Sequence, residues 1–149
     1  FFVMAPVFDE AWKNGVQPLV DNKITAQQAY IAITDPFRDF MLKHVREKDL
    51  ALFTDLAASR GIATAAPEQA DLRTLVPAFM ISELRRGFEI GFLIALPFLI
   101  IDLIVATITM SMGMMMMPPT VISLPFKVLF FVLIDGWSML AGSLVNSFA

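Results

Sequence analysis

From Ile90 to Met117 the chain carries a single charge, Asp102, and from Val121 to Ala149 it carries only Lys127 and Asp135. Each run exceeds the roughly 20 apolar residues that span a bilayer core, so the pattern predicts two long apolar helices. Between them residues 113–120, Gly-Met-Met-Met-Met-Pro-Pro-Thr, must turn. Two consecutive prolines cannot continue a helix, and each pushes the residue before it out of the α region. Pro97 and Pro125 fall inside the runs and predict kinks that a bundle tolerates.

The preceding stretch alternates differently. Asn14-Gly15 and Gln17-Pro18 read as turns, and Thr25 followed three positions later by Gln28 reads as a capping box opening a short helix near Ala26. Asp35-Pro36 restarts the pattern as N-cap and N1 of a helix running to about Ala57. On it Phe37, Phe40, Met41, His44, Val45, Leu52 and Leu56 share a face opposite Arg38, Lys43, Arg46, Glu47 and Asp49. Residues 58–71, with Gly61 and Pro67 and no sustained period, form the loop expected to be most mobile. Asp71 caps the next helix, in which Leu75, Val76, Phe79, Met80 and Leu84 recur at helical spacing before a charged collar of Glu83, Arg85, Arg86 and Glu89.

The reading is therefore all-α: an integral membrane-type helical protein with a small helical polar domain and a long apolar C-terminal helical hairpin. Residues 1–7 read as the end of an apolar helix that begins upstream, so the sequence is taken as a fragment. Residues 8–89 form the polar region, and residues 90–149 form the hairpin, with its methionine-rich turn at 112–119. Composition agrees, since 57% of the residues are hydrophobic and the mean hydropathy is +0.69, against roughly 45–50% apolar usage in soluble domains. Ten of the eleven Lys and Arg lie before residue 90. A formal net charge of −3 and the lack of a basic stripe with interleaved aromatics argue against nucleic acid as a partner. With no cysteine the chain has no disulfide or thiolate metal site.

Catalytic chemistry finds little to work with. His44 is the sole histidine and reads as a helix-surface residue between Lys43 and Arg46. Neither apolar run holds a base for Ser123, Ser138, Ser143 or Ser147, and no cluster of metal ligands appears. No catalytic residue, metal or cofactor is expected, and the chain does not read as an enzyme. Charges within apolar runs are costly and must be paired or wet. Lys127 and Asp135 lie about two turns apart and cannot touch, whereas Asp102 reaches one of them if the hairpin register allows. Structural pairing and a proton or ion relay both remain open for these three.

The methionines, Met110, Met112, Met114, Met115, Met116 and Met117, offer flexible, uncharged, polarizable side chains that can mould around differing surfaces. They suit a seal on a peptide-conducting pore, although on the residues alone an apolar tip that fills a bundle is the commoner use. Gly136, Gly142 and Ser143, flanked by Trp137, read as a helix-packing seam that implies oligomerisation.

Several of these stretches together resemble the FliP family of flagellar type III export gates, relatives of the SctR virulence-secretion proteins. They are Pro97-Phe-Leu-Ile-Ile-Asp102-Leu103, Met112-Gly113 through Pro118-Pro119, Ile122-Ser-Leu-Pro-Phe-Lys127 and Asp135-Gly-Trp137. Phe1-Phe-Val-Met-Ala-Pro-Val7 and the segments 40–43 and 46–53 resemble the flagellar branch more than the virulence branch. Met117 departs from the family, which often carries Val or Leu there. The resemblance implies that several copies assemble with the gate proteins Q and R above a large cytoplasmic nonamer-forming partner. It further implies that unfolded flagellar substrates cross the assembly, and that the methionine loop is a gasket with Met114, Met115 and Met116 as its best candidates. It places the protein in the bacterial inner membrane at the flagellar basal body, with the polar region periplasmic and the apolar runs against lipid or neighbouring subunits. Two other readings stand beside this one: a proton-coupled subunit in which Asp102 and Asp135 titrate, and a purely structural scaffold.

Overall fold

The computed structural model describes residues 1–61, 71–113 and 117–149. Among these the regular elements are all helical: α1 (Ala5–Ala11), a π-helical turn (Trp12–Val16), α2 (Gln17–Val20), α3 (Ala26–His44), α4 (Glu47–Ser59), α5 (Leu72–Ser111), α6 (Pro119–Leu133) and α7 (Gly136–Asn146). They divide into two compact units, Phe1–Arg86 and Gly87–Ala149, with α5 contributing to both.

In the first unit α1 and the π-helical turn lie along α3. The turn expected at Asn14-Gly15 is absent: the Gln17 N–H reaches back five residues to the Trp12 carbonyl, and the chain stays helical. Pro18 follows within this helical path and, lacking an N–H, donates no bond to the turn before it. Tertiary packing decides against the local turn signal. Gly15 is buried where a β-carbon would overlap Ile33 Cγ1 and sit 3.1 Å from the Ile33 nitrogen. Gly15→Ala is therefore expected to destabilise this unit by about 1–3 kcal/mol, the usual cost of overpacking, as a lowered thermal midpoint of the detergent-extracted protein.

The capping box at the start of α3 has both halves: Thr25 N donates to Gln28 Oε1 at 3.0 Å, and Gln28 N donates to Thr25 Oγ1 at 3.4 Å. The next boundary differs from expectation. Asp35-Pro36 starts no new helix; Pro36 is buried inside α3, and Asp35 pairs with Arg38 at 2.6 Å. A proline interrupts one helical bond only, and packing along α1, including Phe8 edge-on to Phe37 at 5.4 Å, holds the helix through it. The helix expected to reach Ala57 instead breaks at Val45 and Arg46, both extended, before α4 begins. The Arg46 N–H crosses to α5 and donates to Ser82 Oγ at 3.1 Å. α5 then opens on Asp71, whose Oδ1 accepts from Arg73 N at 3.2 Å. Its buried Leu75, Ala78 and Ser82 recur on one face of the helix.

In the second unit α5 ends on Gly113, which takes the left-handed conformation (φ +69°) that suits glycine beyond a helix C-terminus. Pro118 is extended and Pro119 starts α6. Pro97 and Pro125 both lie within continuous helix. The single apolar helix expected from Val121 to the end is in fact two, α6 and α7, meeting at 59°. Asp135 sits at the break with φ 52°, and a short polar side chain tolerates that region better than a β-branched one. The bend brings Gly136 so close to Phe131 that a β-carbon would overlap the ring, while Trp137 packs edge-on to Phe131 at 5.0 Å. Phe98 meets Phe130 and Phe131 at 6.3 and 6.1 Å.

None of the most apolar 18-residue stretch of α5 is buried within the chain. By length and composition one helix suffices to cross a membrane, or two if α6 and α7 form one bent span. Such an apolar surface requires lipid or other protein as its solvent.

Candidate functional site

The methionine turn is framed by the ends of α5 and α6. Met110, Met112 and Met117 are exposed, whereas Met114, Met115 and Met116 lie outside the described residues, as does most of the 58–71 loop. Behind the turn, an apolar cleft of about 650 Å³ separates Ile101, Ile104, Val105 and Ile108 of α5 from Ile122, Phe126 and Leu129 of α6, with Met112 and Met117 at its lining.

Of the three charges in the apolar runs, two meet. Lys127 Nζ lies 2.6 Å from Asp102 Oδ2, and the pair is only about a quarter exposed. The hydroxyl of Ser123, itself fully buried, donates to the other carboxylate oxygen of Asp102. Asp135 sits at the α6–α7 break, two turns from Lys127. A carboxylate held in this way by a cation and a hydroxyl is anchored by charge-assisted bonds on both oxygens. Sequence reasoning weighed Ser123 only as a nucleophile without a base and missed it as a partner of Asp102, although its place one turn before Lys127 on the same face of α6 was the available signal.

The collar is divided between two partnerships. Arg86 pairs with Glu83 on its own helix at 2.9 Å, and its guanidinium also donates to the His44 carbonyl at 3.3 Å. Arg85 lies 3.5 Å from Asp49 of α4. Glu89 is exposed one turn further along α5. Between the pairs sits Ser82, which accepts from Arg46 N and donates to Asp49 Oδ2 at 2.8 Å. Asp49 and Ser82 were missed as partners because they are 33 residues apart.

His44 also corrects the surface reading. It closes α3 with only 9% of its area exposed, its ring 4.6 Å from that of Phe40. Burial, and then the charges of Arg86 and Lys43, hold its pKa below the ordinary 6.5. In the unfolded chain His44 takes up its proton near pH 6.5, while the folded protein resists. Its contribution to stability is thus complete above that pH and is lost as pH falls toward the folded pKa. Thermal midpoints measured from pH 8 to pH 5 are expected to fall more steeply for the parent than for His44→Asn.

In the seam, Gly136 and Ser143 line a second apolar pocket of about 260 Å³ with Phe98 and Phe131. Trp137 is 71% exposed, and a β-carbon at Gly142 would meet open space. Among the described residues no group of three or more His, Cys, Asp or Glu converges in a way that could hold a metal ion.

Comparison with known sequences decides the family. The FliP family model matches residues 1–144. This chain belongs to the FliP family. A flagellar biosynthetic protein FliP from Agrobacterium fabrum (strain C58) is 66% identical over 148 residues, covering 99% of this chain and 60% of that protein. Those from Rhizobium meliloti (strain 1021) and Bacillus subtilis (strain 168) are 64% and 53% identical, again over 99% of this chain and over 60% and 66% of theirs. The chain thus spans about three-fifths of the length of the first two curated relatives. Within the family, the match covers the polar unit, the methionine turn and the bent α6–α7 pair alike.

Proposed function

We propose that this chain is a pore-forming subunit of the flagellar type III protein export gate, in which methionine turns from several copies form a gasket. The observation that carries the reading is a methionine-rich turn, braced by Gly113 and Pro118-Pro119, between apolar helices whose surfaces are left uncovered by the chain itself. At rest the side chains meet on the axis and exclude water and ions. An arriving unfolded flagellar substrate displaces them, and they wrap it as it slides, since thioethers adapt without forming specific bonds.

In this reading the protein sits in the bacterial inner membrane with its polar unit on the periplasmic side. Its partners are further copies of itself, the gate proteins Q and R, the nonameric cytoplasmic export protein and lipid. The role is that of a conduit, with no chemical step. The flagellar branch is favoured over the virulence one by the names of the relatives, each a flagellar biosynthetic protein. Engagement of Asp102 by Lys127 and Ser123 favours a structural duty over a relay.

The test is a photo-crosslinking residue at Met115 in full-length protein with a substrate stalled in transit, beside the same residue at exposed Trp137. Adducts to substrate are expected at Met115 alone. Substrate adducts absent at Met115, with lipid adducts there instead, would leave a scaffold whose turn merely fills space.

A further inference from the structure

The contact between α5 and α6 is uneven along its length. An apolar cleft runs between the facing helices from Met112 and Met117 at the turn to Leu133, past Asp102 and Lys127, so interdigitating side chains do not set their register along it. One turn N-terminal to Asp102, Phe98 meets Phe130 and Phe131 ring to ring. Beside that cleft both carboxylate oxygens of Asp102 are committed to α6: Oδ1 to the Ser123 hydroxyl and Oδ2 to the Lys127 ammonium. Ser123 is fully buried and has one proton to give. The Thr120 carbonyl at 3.0 Å competes for it, and the charged carboxylate is the stronger acceptor.

We propose that Ser123, Asp102 and Lys127 act together as a register clamp whose function is to hold the methionine turn in place. Ser123 and Lys127 are four residues apart and stack on one face of α6, so a single carboxylate gripping both fixes height and rotation at once. A slip of one turn, about 5.4 Å, breaks both bonds. Because residues 112–119 join the two helices directly, an offset at the clamp reappears at the turn. These three are positioning residues, and the proposal rests on the gasket reading for its consequence though not for its geometry.

The chain has no cysteine, so pairs introduced into it are read without background from within it. In the full-length protein within its assembled complex, cysteines scanned over 104–109 and 121–126 are crosslinked with a short bifunctional maleimide, and ion leak is recorded in parallel. The parent is expected to give one dominant register. Ser123→Ala and Asp102→Asn are expected to cut that product by about tenfold, the factor one charge-assisted hydrogen bond carries, and to spread crosslinks to positions a turn away. The exchange Asp102→Lys with Lys127→Asp keeps an ion pair but not the acceptor of the Ser123 proton, and is expected to restore the parent profile in part. Asp102→Asn keeps the volume of the side chain and serves if Ser123→Ala fails to assemble. An unchanged profile in both variants overturns the clamp. A shifted profile with raised leak supports it, and a shifted profile with no leak supports the clamp while removing the gasket.

Discussion

Replacing Met114, Met115 and Met116 together by alanine is expected to let ions through the resting gate while leaving the complex assembled. Each substitution removes the γ-carbon, the sulfur and the methyl group, and every copy in the assembly loses all three sets. A hydrophobic constriction holds back ions by excluding water, and widening it admits both. Assembly is spared because Asp102, Lys127 and Ser123, which join α5 to α6, lie away from the substituted positions. Leucine at the same positions separates softness from size: it keeps the apolar plug but lacks the third rotatable bond. The leucine variant is expected to stay closed and to export more slowly. Patch or dye-flux conductance of membranes, with export measured in the same cells, checks both arms. An alanine variant with parental conductance would remove the seal from this turn.

The second large effect belongs to the polar unit. Ser82→Ala removes an acceptor from the Arg46 N–H and a donor from the Asp49 carboxylate in one step. Ser82 is fully inaccessible and Asp49 only 4% exposed, so water does not take the vacated places. Asp49 keeps Arg85 at 3.5 Å, so the loss is that of a buried hydrogen-bond partner, about 1–3 kcal/mol. A loss of roughly 1–3 kcal/mol, a large fraction of a domain's stability, is expected as a fall in the denaturation midpoint of the detergent-extracted protein. It should be accompanied by protease cleavage near Val45-Arg46, where the break between α3 and α4 depends on that bond. Ser111→Ala, on an exposed turn of the same helix, is expected to change stability by less than about 0.5 kcal/mol. Equal effects at the two serines would show that the Ser82 contacts carry no special weight.

These two sites differ in how far they could be read from the chain. The methionine turn is local chemistry: a glycine suited to positive φ, then two prolines that end one helix and start another. The Ser82 network is not local, since its members come from α4, the α3–α4 break and α5. A serine four positions after Ala78 and seven after Leu75, on an otherwise apolar stripe, was the only hint. His44 shows the same limit. Its neighbours Lys43 and Arg46 marked it as solvated, and contact with Phe40 and Arg86 buried it.

What the amino-acid order determined without help is whatever rests on neighbours within one turn or on bulk transfer from water. That covers the all-helical character, the Thr25–Gln28 box, the Asp71 start of α5, the Gly113 and Pro118-Pro119 turn and the apolar mass of the second half. Tertiary structure alone decided the passage of α3 through Pro36, the π-helical path through Gly15, the breaks at Arg46 and Asp135, and the choice of Lys127 as the partner of Asp102. At each of these places a local preference worth about a kilocalorie per mole met a packing or charge contact of equal or larger size. Those contacts arrive from residues that are distant in sequence.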